Sequence, residues 1–142
     1  MAQAEVFPFV VADPAFGDAS RLPYMSIALQ LQGQSLSVSA LLDTGSAVNV
    51  LPYEVGLQLG AVWDQQPITV RLTGNLANEP ARVVTVMETV GTLPSARLVF
   101  AWTRARAVPL ILGQVNFFME FDVCFYRSRP LFEVKTKSAA RG

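Results

Sequence analysis

Between positions 24 and 32 the apolar residues Met25, Ile27, Leu29 and Leu31 alternate with small or polar neighbours. Leu36, Val38 and Ala40 then alternate with Ser35, Ser37 and Ser39. Period-two alternation marks a strand with one face buried. Gly33-Gln34 supplies a tight turn between the two runs, so residues 24–42 read as a β-hairpin. Residues 5–11 form a short apolar run broken by Pro8, which suits a sheet edge. Residues 12–23 are polar and contain Pro and Gly, the pattern of a mobile connection.

Further along, residues 48–51 resume an apolar run, and residues 53–59 read as a short helix stopped at Gly60. Residues 68–72 and 82–87 read as two strands around the polar tip 73–81, a second hairpin. Strands are expected at 97–103 and 110–112, and a helix of two turns over 114–120. Strands over 122–126 and 131–134 close the chain, and residues 135–142 read as a frayed tail. The class is mainly β, a barrel or sandwich with one or two short helices. No repeat or linker divides it, so residues 24–134 form one body behind an N-terminal strand and arm over residues 1–23.

Composition narrows the chemistry. Of 142 residues, 51% are hydrophobic and 15% charged, which predicts a folded chain with a real core. Lys+Arg and Asp+Glu are 11 each, and no basic block interleaves with aromatics, so nucleic acid is not an expected partner. With no His in the chain, Ser-His-Asp, Cys-His and His-zinc sites are excluded. Cys124 is the one cysteine, so no intrachain disulfide forms; its flanks Val123 and Phe125 predict a buried structural thiol. No run approaches the roughly 18 apolar residues of a membrane span, and no signal-like N-terminus is present, so the expected setting is intracellular.

One acidic residue stands out. Asp43 directly follows the apolar Ala40-Leu41-Leu42 and precedes Thr44-Gly45-Ser46. A carboxylate at the end of a buried strand is costly unless it is hydrogen-bonded, paired or put to use. Taken alone, Asp-Thr-Gly is also a common turn, with Asp capping backbone N–H groups. Asp13, Asp18, Asp64 and Asp122 sit in polar or turn settings and read as solvated or capping.

Asp43-Thr44-Gly45-Ser46 after an apolar strand, followed by Leu110-Ile111-Leu112-Gly113 and Val115-Asn116-Phe117-Phe118, resembles the retropepsin-like aspartic proteases. The resemblance spans residues 24–134. It implies a closed β-barrel homodimer without metal or organic cofactor, because a single Asp-Thr-Gly supplies half of a two-carboxylate site. In that family's chemistry the paired aspartates share a proton; one activates water while the other polarises the scissile carbonyl of a peptide. The resemblance implies Asp43, Thr44 and Gly45 as the catalytic motif, with Thr44 holding the two turns together. Ser46 would bond the outer carboxylate oxygen, and Leu72, Gly74 and Leu76 would contact an extended, apolar peptide from a flap. Three positions depart from the viral enzymes: the tip holds only Gly74, Gln114 replaces an Arg, and Ala47 replaces an acidic residue. The alternative is an inactive dimer that uses the same fold to bind peptides or assemble.

Overall fold

The computed structural model describes residues 3–72 and 79–137. The two alternating runs form β4 (Tyr24–Leu31) and β5 (Gln34–Leu42), paired antiparallel from Tyr24↔Leu41 to Leu31↔Gln34. Their two-residue turn has positive φ at both Gln32 and Gly33, as a hairpin turn matched to strand twist requires. Before them come β1 (Ala4–Pro8), β2 (Val10–Val11) and β3 (Arg21–Leu22).

After them come β6 (Asn49–Pro52), helix α1 (Tyr53–Gln58), β7 (Thr69–Arg71), β8 (Pro80–Thr89), β9 (Ala96–Thr103) and β10 (Leu110–Leu112). Helix α2 (Phe117–Glu120) leads to β11 (Phe121–Tyr126) and β12 (Leu131–Thr136). Six strands close on themselves in the order β4-β5-β10-β6-β9-β8, with Leu29↔Glu88 in the β4–β8 seam. β7 extends the other end of the β8 edge. The architecture is a mainly β closed barrel with short helices.

Alternation fills the barrel. Met25, Ile27 and Leu29 of β4, Ala40 and Leu42 of β5, Val84 and Val86 of β8 and Leu98, Phe100 and Trp102 of β9 pack into one buried cluster. Each such large side chain contributes roughly 1.5–3 kcal/mol over its exposed state. Trp102 stacks on Tyr53 with ring centroids 5.5 Å apart and donates its indole N–H to the Tyr53 carbonyl, which fastens α1 to β9.

β12 lies between β1 and β11 in a separate three-stranded sheet, so the Pro8-bearing strand is an edge, as its proline requires. Phe7 and Phe9 pack on Phe132, with centroids 5.5 and 5.7 Å away.

Several expectations are corrected. Residues 14–20 are not a loose connection: they form two short 3-10 turns on either side of a kink at Gly17, flanked by paired β2 and β3. Only Phe117–Glu120 is helical within 114–120. The N–H groups of Gln114 and Val115 are drawn to the carbonyls of Ser46 and Ala47, which holds the segment out of a helix. The last strand runs to Thr136, where the sequence reading ended it at Val134, and Lys137 pairs with Glu120. Cys124 is exposed. Val123 and Phe125 pack with the core cluster and the Phe132 ring, so strand alternation turns the residue between them outward. Among the described residues, no helix is long and apolar enough to cross a membrane.

Candidate active site

β5 and β6 follow each other in sequence, yet β10 lies between them, parallel to β5 and antiparallel to β6. The connecting residues 43–48 must therefore arch across the end of β10. Leu42 and Leu112 are register partners at the two strand ends. The next N–H, that of Asp43, donates to the Leu112 carbonyl at 3.0 Å.

Asp43 is half-buried at the start of this arch. Its Oδ1 accepts the Gly45 N–H at 2.9 Å, and its carbonyl accepts the Ser46 N–H at 3.1 Å. The carboxylate is thus fixed by its own turn rather than by a cation; none of the ion pairs among the described residues involves it. A Cβ at Gly45 would lie 3.3 Å from Oδ1, tighter than most such contacts, so a glycine fits the turn best. Thr44 is exposed beside it. The Ser46 hydroxyl donates to the Val48 carbonyl at 2.8 Å, not to the Asp43 carboxylate, because the turn brings that carbonyl within reach of its side chain.

The arch is braced from below by a segment that the sequence reading assigned to a helix. Gln114 N–H donates to Ser46 O at 2.9 Å, Val115 N–H to Ala47 O at 2.9 Å, and Asn49 N–H to Val115 O at 3.0 Å. The Gln114 side chain adds a bond from Nε2 to the Thr44 carbonyl at 2.8 Å. Gly113 passes so close under the arch that a Cβ there would overlap the Val48 carbonyl oxygen and lie 2.8 Å from Ser46 O. No side chain fits at this crossing.

Two asparagines, neither given a role in the sequence analysis, lock the crossing. Asn49 has no exposed surface. Its Oδ1 accepts the Gly113 N–H at 2.8 Å, while Nδ2 donates to Val99 O and to Asn116 Oδ1, both at 3.0 Å. Asn116 Oδ1 also accepts the Val99 N–H at 2.9 Å, and its Nδ2 donates to Arg97 O at 2.9 Å. A buried amide with every group satisfied is a strong positional constraint. An Asn five residues beyond Asp-Thr and another three beyond the late Gly were the only available sequence signals.

Beside the turn, a second apolar cluster lies apart from the barrel interior. Val50, Leu72, Ala81 and Ala101 are buried in it, with Val48 and Ile111 packed against them. Ile111 immediately precedes the residue whose carbonyl holds Asp43 N–H. Of the expected flap residues, Leu72 joins this cluster; Gly74 and Leu76 lie outside the described residues. Among the described residues, no three His, Cys, Asp or Glu side chains gather as metal ligands would.

No family model matches the chain, and no curated protein matches its sequence. A crystal structure of a retropepsin-like aspartic protease from Rickettsia conorii is similar, with a TM-score of 0.65 at 13% sequence identity. The match covers 98% of this chain and 97% of that one. The fold is retropepsin-like, a closed β-barrel with few helices.

Proposed function

We propose that the chain is an aspartic endopeptidase in which two copies each contribute Asp43 to one site. The observation that carries this reading is the carboxylate's setting: Asp43 starts an arch over β10, tied by Leu112 O and Gly45 N–H, beside an apolar floor. Fold likeness to an aspartic protease supports the same class of chemistry.

One chain carries a single Asp-Thr-Gly, so the site needs a second. Two aspartates brought together do not both ionise readily, because like charges in a poorly solvated site repel. The pair shares one proton between its two carboxyl groups. The ionised member takes a proton from water as it attacks the scissile carbonyl carbon; the protonated member donates to the carbonyl oxygen. Collapse of the tetrahedral intermediate, with a proton passed to the amine, releases the two peptide products.

Thr44, exposed at the turn, is the residue that faces its symmetry mate, and the Gln114 bond sets its carbonyl. Val48 and Ile111, partly exposed over the buried Val50 and Leu72, form the floor against which an extended apolar segment lies. The family resemblance assigns Gly74 and Leu76, which lie outside the described residues, to a flap over that floor.

Subunit mixing tests the shared site. Excess Asp43→Asn chain added to wild type should suppress specific activity as mixed dimers replace active ones, and dilution of wild type should lower it too. Specific activity unaffected by either treatment would show that one chain suffices, against this reading.

A further inference from the structure

A cavity of about 610 Å³ lies between the passage from β6 into α1 and the loop over 104–109 that joins β9 to β10. Pro52, Tyr53 and Glu54 line it from the first side, and Arg104, Arg106 and Val108 from the second. Asp43 is not on its wall. Two cations and one anion thus meet in a cavity to which the proposed chemistry gives no task.

Arg104 is held by rings rather than by an acid. Its guanidinium carbon lies 4.3 Å from the centroid of the Trp63 ring and 5.3 Å from that of Tyr53. Those rings are anchored in turn: Tyr53 stacks on Trp102, and Trp63 packs edge-on against both. A guanidinium laid on ring faces keeps its N–H edge for partners in its own plane. Arg82 lies over the same Trp63 ring at 5.1 Å, and it spends Nη1 on the Trp63 and Gln66 carbonyls. Among the described residues Arg104 has no such acceptor, and no ion pair involves Arg104, Arg106 or Glu54. Between Arg106 and Val108, Ala107 has a φ of 57°, a left-handed conformation uncommon for a residue other than glycine. Backbone held in such a region recurs at ligand clamps.

We propose that this cavity binds the phosphate group of a small molecule, clamped between the Arg104 and Arg106 guanidinium groups. Each guanidinium presents a fork of N–H donors that matches two oxygens of a phosphate. One fork is enough for a carboxylate, whereas two suit a group that carries about 1.5 to 2 negative charges at pH 7. The cavity is larger than a bare ion needs and falls in the size range of small-molecule sites. Its remaining wall suits an organic body: Pro52 and Val108 offer apolar contact, and the Glu54 carboxylate accepts from a hydroxyl group. The ligand class is therefore a phosphate ester that bears hydroxyl groups. The inference does not rest on the protease reading, since no residue assigned to catalysis takes part.

Calorimetric titration of the whole chain at constant ionic strength tests it, with ribose 5-phosphate, inorganic phosphate and ribose as probes. Tryptophan fluorescence is followed in parallel, because Arg104 lies on Trp63 and a bound anion alters that contact. Saturable binding of ribose 5-phosphate, one per chain, is expected, with no binding of ribose. Tighter binding of the ester than of inorganic phosphate assigns the organic body to the cavity; equal binding makes free phosphate the ligand and overturns the ester. Arg106→Ala, at an exposed position without an ion pair, should leave Tm unchanged and weaken binding about ten-fold or more. Arg104→Lys keeps a cation over Trp63 but loses the fork, and should weaken binding as well. Affinity unchanged in both variants, or a response that added sodium chloride reproduces, overturns the inference. Binding of an unphosphorylated acidic peptide at the arginines, with none of either phosphate probe, would overturn it too and assign the cavity to carboxylates.

Discussion

Asn49 Nδ2 donates to Asn116 Oδ1 at 3.0 Å, and this single bond joins the strand that leaves the Asp43 arch to the segment that braces it. The two residues are 67 positions apart in sequence. Between them they satisfy Gly113 N–H, Val99 N–H, Val99 O and Arg97 O. Asn49→Asp keeps the shape but removes both donors, leaving Val99 O and Asn116 Oδ1 against a buried carboxylate. Loss of about 2–4 kcal/mol is expected from the unsatisfied groups. Urea unfolding of the variant checks this, and a change under 1 kcal/mol would show that the network is dispensable.

Gly113→Ala places a methyl group on the Val48 carbonyl, which is backbone and cannot turn aside. The arch must lift or β10 must withdraw. The expected outcome is destabilisation of about 3 kcal/mol or more, from overpacking at a site with no side-chain slack. Thermal melts of the purified variant measure it.

Gln114 offers a milder handle on the same arch. Its Nε2 bond to Thr44 O lies at an exposed position, so Gln114→Ala should change stability by only about 0.5–1.5 kcal/mol. Gln114→Glu sets an acceptor against that carbonyl and should lower kcat/KM more than the alanine does, with the fold intact. Equal activity in the two variants would deny Gln114 a positioning role.

Glu88 is the costliest residue of the barrel. It has no exposed surface, and among the described residues neither carboxylate oxygen has a hydrogen-bond partner. Burial pushes its carboxyl from the ordinary 4.5 up to about 8. The folded chain keeps this proton where the unfolded chain has lost it, so stability declines as pH rises from about 4.5 to 8 and levels off above. The full effect is on the order of 5 kcal/mol, or roughly 10–20 °C in Tm. Glu88→Gln should flatten this part of the pH dependence, and Glu88→Leu should raise Tm most at alkaline pH. A wild-type Tm that holds steady from pH 5 to 9 would contradict the burial of an uncompensated acid.

Most strands were legible because one face of each is buried: Met25-Ile27-Leu29 and Leu98-Phe100-Trp102 point into the barrel. The Asp43 arch and the late Leu-Gly anchor were legible as a motif, since the arch demands a short turn and the crossing demands Gly113. What the sequence hid was decided by partners far along the chain. Residues 114–116 have helical company in sequence, but the Ser46 and Ala47 carbonyls claim their N–H groups. Cys124 looked buried because its neighbours are apolar, yet alternation between apolar neighbours is what exposes it. The expected strand over 82–87 stops short of Glu88; β8 runs through it to Thr89 and closes the barrel with it inside.

The central claim is that Asp43 performs peptide hydrolysis, and the most direct measurement is cleavage of an unbiased peptide mixture from pH 3 to 8. Wild type is compared with Asp43→Asn, with and without a statine-type transition-state analogue. Cuts made by wild type under a bell-shaped pH profile, abolished by both the substitution and the analogue, are the predicted result. Cuts retained by Asp43→Asn, or no cuts from a well-folded wild-type dimer, would contradict the claim and favour a binding or assembly role for the fold.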